Sequence, residues 1–416
     1  KIKITLNNEF VISPNNIPDI KNRNDLIVES SNLPEYLILS PDEFAEHALD
    51  LKQLHSEDVF EDDRLFTEVI LKSEIKTILG VASLNAYHIK DFIELKIEEN
   101  PGIRYLLIFG DETHFPPIYS GNTPSDDYYS SLEGTLPTIS TGRIPVADAY
   151  DAGVIIDKIR DYTQNPSSGV WKQKFMLTAD DYRKQNYSAD SEMRHTEYSE
   201  DLYNIIKDHA IVNTYLGAEY EPSAGEGWIT LPELTNDIIH GLNQGTAVIN
   251  YIGHGTFYGL ADEKILLKDR DIPLINPIEN KYAIWVIGTC SFGHYDGEDS
   301  MPEELLNNPS GAIGLITTSR SVYTGTNIEF LRKIFNQFKE YMQGLNSNRL
   351  GDIAFFAKTN SNSSNYSLFH LFGDPALKLP FFVKDELFST EDDKIIEQLI
   401  NTNLDLNLNI NAQNFI

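Results

Sequence analysis

Cysteine occurs once in this 416-residue chain, at position 290, where the apolar run Tyr282 to Ile287 gives way through Gly288 and Thr289 to the loop Ser291 to Asp296. A histidine, His254, stands 36 residues earlier in Gly253-His254-Gly255 and closes a second apolar run, Ala247 to Ile252. A thiol attacks as its thiolate, and a neighbouring imidazole is the usual group that takes or holds the proton. If the two runs are parallel neighbouring strands, both side chains leave the same edge of one sheet, where open α/β sheets place their chemistry. A lone cysteine is otherwise a small buried hydrophobe, and a Gly-His-Gly is otherwise a turn. The coincidence of both residues at strand ends, each followed by a loop, favours a Cys290 nucleophile with His254 as general acid and base. Acyl chemistry at a thiol also needs N–H donors for an oxyanion. Gly255, whose bare backbone allows close approach, and the Cys290 N–H are the candidates.

These residues must be positioned by strands, and strands are legible. Apolar runs recur at Tyr36 to Leu39, Tyr105 to Phe109, Phe175 to Leu177, Ile211 to Tyr215, Ala247 to Ile252, Ala283 to Ile287 and Ala312 to Ile316. Continuous rather than alternating apolar runs indicate strands covered on both faces, hence a mostly parallel sheet in an α/β fold. Crossover helices are predicted over Asp148 to Tyr162 and Leu231 to Leu242, and Ser300 to Glu303 is a capping box opening a helix behind the cysteine loop. The segments Asn122 to Tyr129, Ser188 to Glu192 and Asn360 to Asn365 read as loops. We read two α/β subdomains, 1–144 and 145–382, and an appendage at 383–416 whose end alternates with period two.

Composition narrows the function. With 63 acidic and 33 basic residues the formal charge is −30, which repels a phosphate backbone and argues against nucleic acid as a partner. The same field raises a thiol pKa, so Cys290 needs a local positive group to ionise near neutrality. No stretch reaches the roughly 18 apolar residues of a membrane span. The chain opens Lys1-Ile2-Lys3-Ile4 without an initiator methionine, which marks a processed or partial chain.

Several ordered blocks are similar to the gingipain-type peptidases of the caspase-like clan: Pro124 to Tyr129, Gly142 to Pro145, Gly253 to Gly255 with Gly259 to Ala261, Thr289 to Gly293 with Asp296, Thr317 to Arg320, and Leu371 to Leu377. They most resemble a sortase-like member of the type IX secretion system. The resemblance implies a caspase-like three-layer α/β/α fold and thiol peptidase or transpeptidase chemistry through a thioester acyl-enzyme. It also implies residence outside the cell or on the outer-membrane surface of a Gram-negative, Bacteroidetes-type bacterium. Its substrates would be secreted proteins with a C-terminal sorting domain, handled beside other outer-membrane secretion components. The family's upstream carboxylate, which orients the histidine, is best matched by Glu192, with Asp180 and Asp181 as rivals. No cofactor is required; a structural calcium ion is implied, with Asp126 and Asp127 as its candidate ligands. The sortase's long N-terminal region has no counterpart here.

Three other readings remain open at this level. His294, Asp296, Glu298 and Asp299 form an acidic loop without EF-hand spacing. Asp111, after Phe109-Gly110, invites a phosphoryl-handling role, but no glycine loop and lysine cradle a phosphate, and a turn role is favoured. A non-catalytic surface-binding module that keeps the peptidase fold is the alternative from another functional class. Arg143 and Arg320, set in apolar surroundings, call for carboxylate partners.

Overall fold

A computed structural model describes residues 33–383 apart from 58–62, 133, 135, 184–186, 225–228, 298, 347–348 and 361–365. The predicted appendage after Val383, the tract after Asn360 and Glu298 therefore lie outside the described residues. The described residues from Pro34 to Val383 form one compact unit.

Ten strands build the central sheet. They are β1 (Tyr36–Ser40), β2 (Thr67–Leu71), β3 (Tyr105–Phe109), β4 (Ser140–Ile144), β5 (Lys174–Ala179), β6 (Ile211–Leu216), β7 (Val248–Ile252), β8 (Ile284–Gly288), β9 (Gly314–Thr318) and β10 (Phe369–Phe372). Their spatial order is β2-β1-β3-β4-β10-β9-β8-β7-β5-β6. Every neighbouring pair is parallel except β9 and β10, which run antiparallel with Thr317 opposite His370. The sheet therefore consists of two parallel blocks of opposite direction joined at one seam, and it continues without a break across Ile144.

Alternate residues of one strand enter different cores, which is the signature of a sheet covered on both faces. Leu37 and Leu39 of β1, with Leu106 and Ile108 of β3, pack against Ile89, Phe92 and Ile93 of α3 (Ala86–Glu99), the helix that follows α2 (Lys72–Leu79). Tyr36, Ile38, Tyr105 and Leu107 face the other way, toward Leu51 of α1 (Ala45–Ser56) and Ile155 and Ile159 of α4 (Ala149–Gln164). Each such aliphatic side chain contributes about 1.5–3 kcal/mol when fully buried. The predicted start of α4 is realised by Asp148, whose carboxylate accepts from the Tyr150 and Asp151 N–H groups at 2.8 and 3.0 Å. On the other block lie α5 (Arg194–Ile206), α6 (Pro232–Asn243), α7 (Met301–Asn307), α8 (Thr324–Met342) and α9 (Leu350–Thr359).

Ser188 to Glu192 is not wholly a loop: Ala189–Glu192 form a helical turn, capped by the Ser188 hydroxyl. Likewise the Asn122 to Tyr129 stretch holds the strand Thr123–Ser125, paired with Ile118–Ser120 in a short ribbon, followed by a 3-10 turn. Local polarity hid both elements, since neither buries a long apolar run.

Buried charges fasten the region around the seam. Arg143, 1% exposed, sends Nε and Nη2 to the two carboxylate oxygens of Asp126 at 2.7 and 2.6 Å and donates to the carbonyls of Gly110 and Phe115. Lys358 Nζ sits 2.8 Å from both oxygens of Asp127. The Asp374 carboxylate, fully buried just beyond β10, meets His55 Nε2 and the Tyr36 hydroxyl, each at 2.7 Å. The two candidate calcium ligands, Asp126 and Asp127, are thus each engaged by a buried cationic side chain. Removing one member of such a pair strands a charge in the interior. Arg143→Met is expected to cost about 3–5 kcal/mol of unfolding free energy by urea denaturation. Adding Asp126→Leu to Arg143→Met is expected to recover much of that loss.

Candidate active site

The register of β7 against β8 places the two candidate residues. Ile252 is opposite Gly288 in this parallel pair, so His254 and Cys290 each follow their strand end at the same offset and leave the same edge. The strand on the far side of β7 ends equally: Ala179 of β5 is opposite Ile252, and Asp180 follows it. Three adjacent strand ends therefore deliver Asp180, His254 and Cys290. His254, Gly255, Tyr258, Asp262, Lys264 and Cys290 are among the residues lining one cavity of about 280 Å³.

The backbone of His254 is held on both sides. Its N–H donates to Asp180 Oδ2 at 2.9 Å, while its carbonyl accepts from the Tyr251 hydroxyl at 2.7 Å and from the Ala261 N–H at 2.8 Å. Glycine is required on either side for packing reasons. A Cβ on Gly253 would lie 2.4 Å from both Asp180 Cβ and the Tyr251 hydroxyl, and one on Gly255 would lie 2.7 Å from Thr289 Oγ1. Gly255 and Thr256 then pair with Gly259 and Leu260 in a ribbon that forms one wall of the cavity.

Among the three carboxylates considered from sequence, Glu192 reaches the imidazole. Its Oε2 lies 2.8 Å from His254 Nε2, and the glutamate is 4% exposed. The tautomer that donates Nε2–H to Glu192 carries its lone pair on Nδ1. Asp180 engages the backbone instead: besides His254 N–H it accepts the Asp181 N–H at 2.9 Å. Burial pushes its carboxyl up to about 8 against those lowering hydrogen bonds. Asp181 is ion-paired to Arg183 at 2.7 Å. Two aromatic neighbours of His254 carried no role in the sequence reading. His195 stands edge-on to it with ring centroids 5.1 Å apart, and Tyr187 packs on it at 5.6 Å. The i, i+3 spacing of Glu192 and His195 across a helical start was the available signal for the first.

The sulfur lies in a tightly specified loop. Cys290 Sγ is 3.7 Å from the Val322 carbonyl, and Ser291 takes a left-handed φ of 51°, rare outside glycine. Ser291 N–H and Gly293 N–H donate to the carbonyls of Arg320 and Thr318, so the loop runs alongside the end of β9. Arg320 has the carboxylate partner its setting demanded: Nη1 and Nη2 meet Asp296 at 2.9 and 2.7 Å, and Tyr119 donates to the same carboxylate. Asp296 is therefore committed to a cation, and Asp299 lies elsewhere, in a second cavity of about 270 Å³ with Asp111, Glu112, Asp151, Glu303 and Glu304. Asp111 is a turn residue, its Oδ1 accepting from the N–H groups of Thr113 and His114 and from the Thr113 hydroxyl.

Behind the cysteine loop the predicted capping box is present: Glu303 Oε2 accepts from the Ser300 N–H at 2.7 Å and its hydroxyl at 2.6 Å. Burial, with Glu112 and Asp299 adding repulsion, pushes Glu303 up to about 8.

A large mostly parallel sheet with thiol and imidazole at one carboxyl edge is the scaffold of gingipain-like and caspase-like cysteine peptidases. The sequence model of Peptidase family C25 matches residues 29–380, and the chain belongs to that family. It is 22% identical over 357 residues to an uncharacterised protein of Archaeoglobus fulgidus, covering 76% of this chain and 85% of that one. Against gingipain R2 of Porphyromonas gingivalis the identity is 22% over 338 residues, covering 76% of this chain but only 43% of that relative's length. The crystal structure of the Arg-specific cysteine proteinase gingipain R shares the fold, with a TM-score of 0.68 at 16% identity over 85% of this chain and 79% of that one. The dimeric latent PorU of Porphyromonas gingivalis matches more weakly, with a TM-score of 0.38 over 84% of this chain and 30% of that one.

Two outcomes follow from this geometry. Gly255→Ala must displace Thr289, the neighbour of Cys290, and is expected to slow labelling of the thiol by a peptidyl electrophile about 10²-fold, the scale of a 1 Å misplacement. Glu303, protonated when buried, contributes stability that is complete below its ordinary value of 4.5 and is lost as the pH rises through about 8. Melting temperature is expected to fall across that window in the native protein, and Glu303→Gln is expected to flatten the fall.

Proposed function

We propose that the protein is a cysteine endopeptidase in which Cys290 is the nucleophile, His254 the general acid and base, and Glu192 the carboxylate that orients the imidazole. The observation that carries this reading is the 2.8 Å contact between Glu192 and His254 beside a cavity shared with Cys290. His254 Nδ1 takes the thiol proton as sulfur attacks the substrate carbonyl, and the Gly255 and Cys290 N–H groups receive the oxyanion. The amine then leaves with the proton from His254, and a thioester remains on Cys290. Water resolves that thioester in hydrolysis; an acceptor amine resolves it in transpeptidation. Family membership supports a protein substrate.

The sortase-like version, with secreted substrates carrying a C-terminal sorting domain at the cell surface, draws its support from the ordered sequence blocks alone. Added amine acceptor distinguishes the two: an amide product at the new carboxyl terminus favours transfer, and its absence at high acceptor concentration favours hydrolysis.

Labelling by a thiol-directed peptidyl electrophile tests the core assignment. Native protein is expected to label stoichiometrically, with His254→Ala and Glu192→Gln slower by about 10²–10⁴-fold, the usual scale of general acid and base catalysis. Labelling of all three at the rate of a free thiol overturns the assignment and favours a binding module that kept the fold. In that case Cys290→Ala would retain the protein's binding activity in full.

A further inference from the structure

Asp180, His195 and His254 each offer one ligand atom to a group whose members all lie within 4.8 Å of one another. They arrive from three separate elements: the end of β5, the first turn of α5 and the end of β7. Asp180 and His195 are 2% and 3% exposed, so neither is a surface side chain that wanders into range. The two imidazoles meet at 89°, an arrangement that hydrophobic stacking does not require. Two imidazoles and one carboxylate are a donor set suited to a borderline divalent cation, zinc above all, while calcium and magnesium favour oxygen alone. Glu192, already in contact with His254, places a second carboxylate beside the group. The His254 side chain is 24% exposed and lines the cavity, which gives an ion its route in.

We propose that Asp180, His195 and His254 form an inhibitory site for zinc or a chemically similar divalent ion. The inhibitory part rests on His254 being the catalytic base: an ion on Nδ1 takes the lone pair that would receive the thiol proton, an ion on Nε2 displaces the Glu192 carboxylate that orients the ring, and in either case Cys290 is left as an unactivated thiol. The metal site itself is independent of that reading. Cys290 is not in the group, so the site persists when the sulfur is removed.

Isothermal titration of Cys290→Ala protein with zinc chloride tests the site without its chemistry. Zinc is expected to bind this variant one to one, and adding His195→Gln is expected to weaken binding at least about a hundredfold, the upper end of what losing even an outer partner of a metal ligand costs. Undiminished binding in the His195→Gln variant overturns the proposal. So does calcium binding as tightly as zinc, which assigns the ion to the adjacent all-oxygen group Asp180, Asp181 and Glu263. If His195→Gln does not fold, cobalt(II) bound to Cys290→Ala protein is read by proton NMR: two paramagnetically shifted imidazole N–H signals are expected, and one or none overturns the site. In the native protein, zinc is expected to abolish electrophile labelling and a chelator to restore it. Native protein that labels slowly even without zinc refutes the catalytic reading, while the titration still decides the metal.

Discussion

The pairing of β7 with β8 is the constraint from which the rest of the site follows. Parallel ladder hydrogen bonds fix Ile252 against Gly288, and a slip of one residue would turn every side chain of the strand to the opposite face. With that register set, the two residues beyond each strand end are equivalent positions on one edge. What remains is to stop the exits from relaxing. Asp180 and Tyr251 do this for the histidine, and the alignment of Ser291 to Gly293 with the end of β9 does it for the cysteine. The left-handed backbone at Ser291 is the kind of local strain that persists only where surrounding hydrogen bonds over-determine the chain.

The reversal between β9 and β10 poses a different problem. A run of right-handed crossovers covers a parallel sheet by itself, but where direction changes the pattern of strand and helix is interrupted. Side-chain chemistry is concentrated around that interruption. Lys358 with Asp127, and His55 and Tyr36 with Asp374, link segments far apart in sequence, Arg143 meets Asp126 across a shorter loop, and each is buried. Such groups need complete hydrogen bonding to be tolerated, and Arg143 reaches it through two carbonyls in addition to its carboxylate. The Arg320–Asp296–Tyr119 cluster extends the same logic to the surface, tying the cysteine loop to the ribbon that follows β3.

How much of this was legible follows from which residues carry it. Strands such as Tyr105 to Phe109 are apolar throughout because both faces are covered, and they were readable. The strands β2, β4 and β10 were not. Ser140-Thr141-Gly142-Arg143-Ile144 is a fully buried strand that reads as polar, because its arginine is satisfied by Asp126 seventeen residues earlier in the chain. His370 likewise breaks the apolar character of β10 while lying 3% exposed. The cysteine and histidine were visible because each ends a readable strand. Glu192 was reachable only through resemblance, since its contact with His254 spans 62 residues and no local pattern encodes it. Asp180 appeared as a rival orienting acid and acts on the backbone of the histidine, a distinction of atoms that sequence does not contain.

Glu192 differs from the other members of the site in how it arrives. Cys290, His254 and Asp180 are rooted in the sheet, whereas the glutamate and His195 ride on a helical turn and the start of α5, which packs against α8. The orientation of the imidazole is thereby tied to the seating of one helix on another rather than to strand pairing. Substitutions along that helix contact, including the Arg332–Asp201 link across it, would shift the Glu192–His254 pairing from outside the cleft and leave the strand ends that carry His254 and Cys290 untouched.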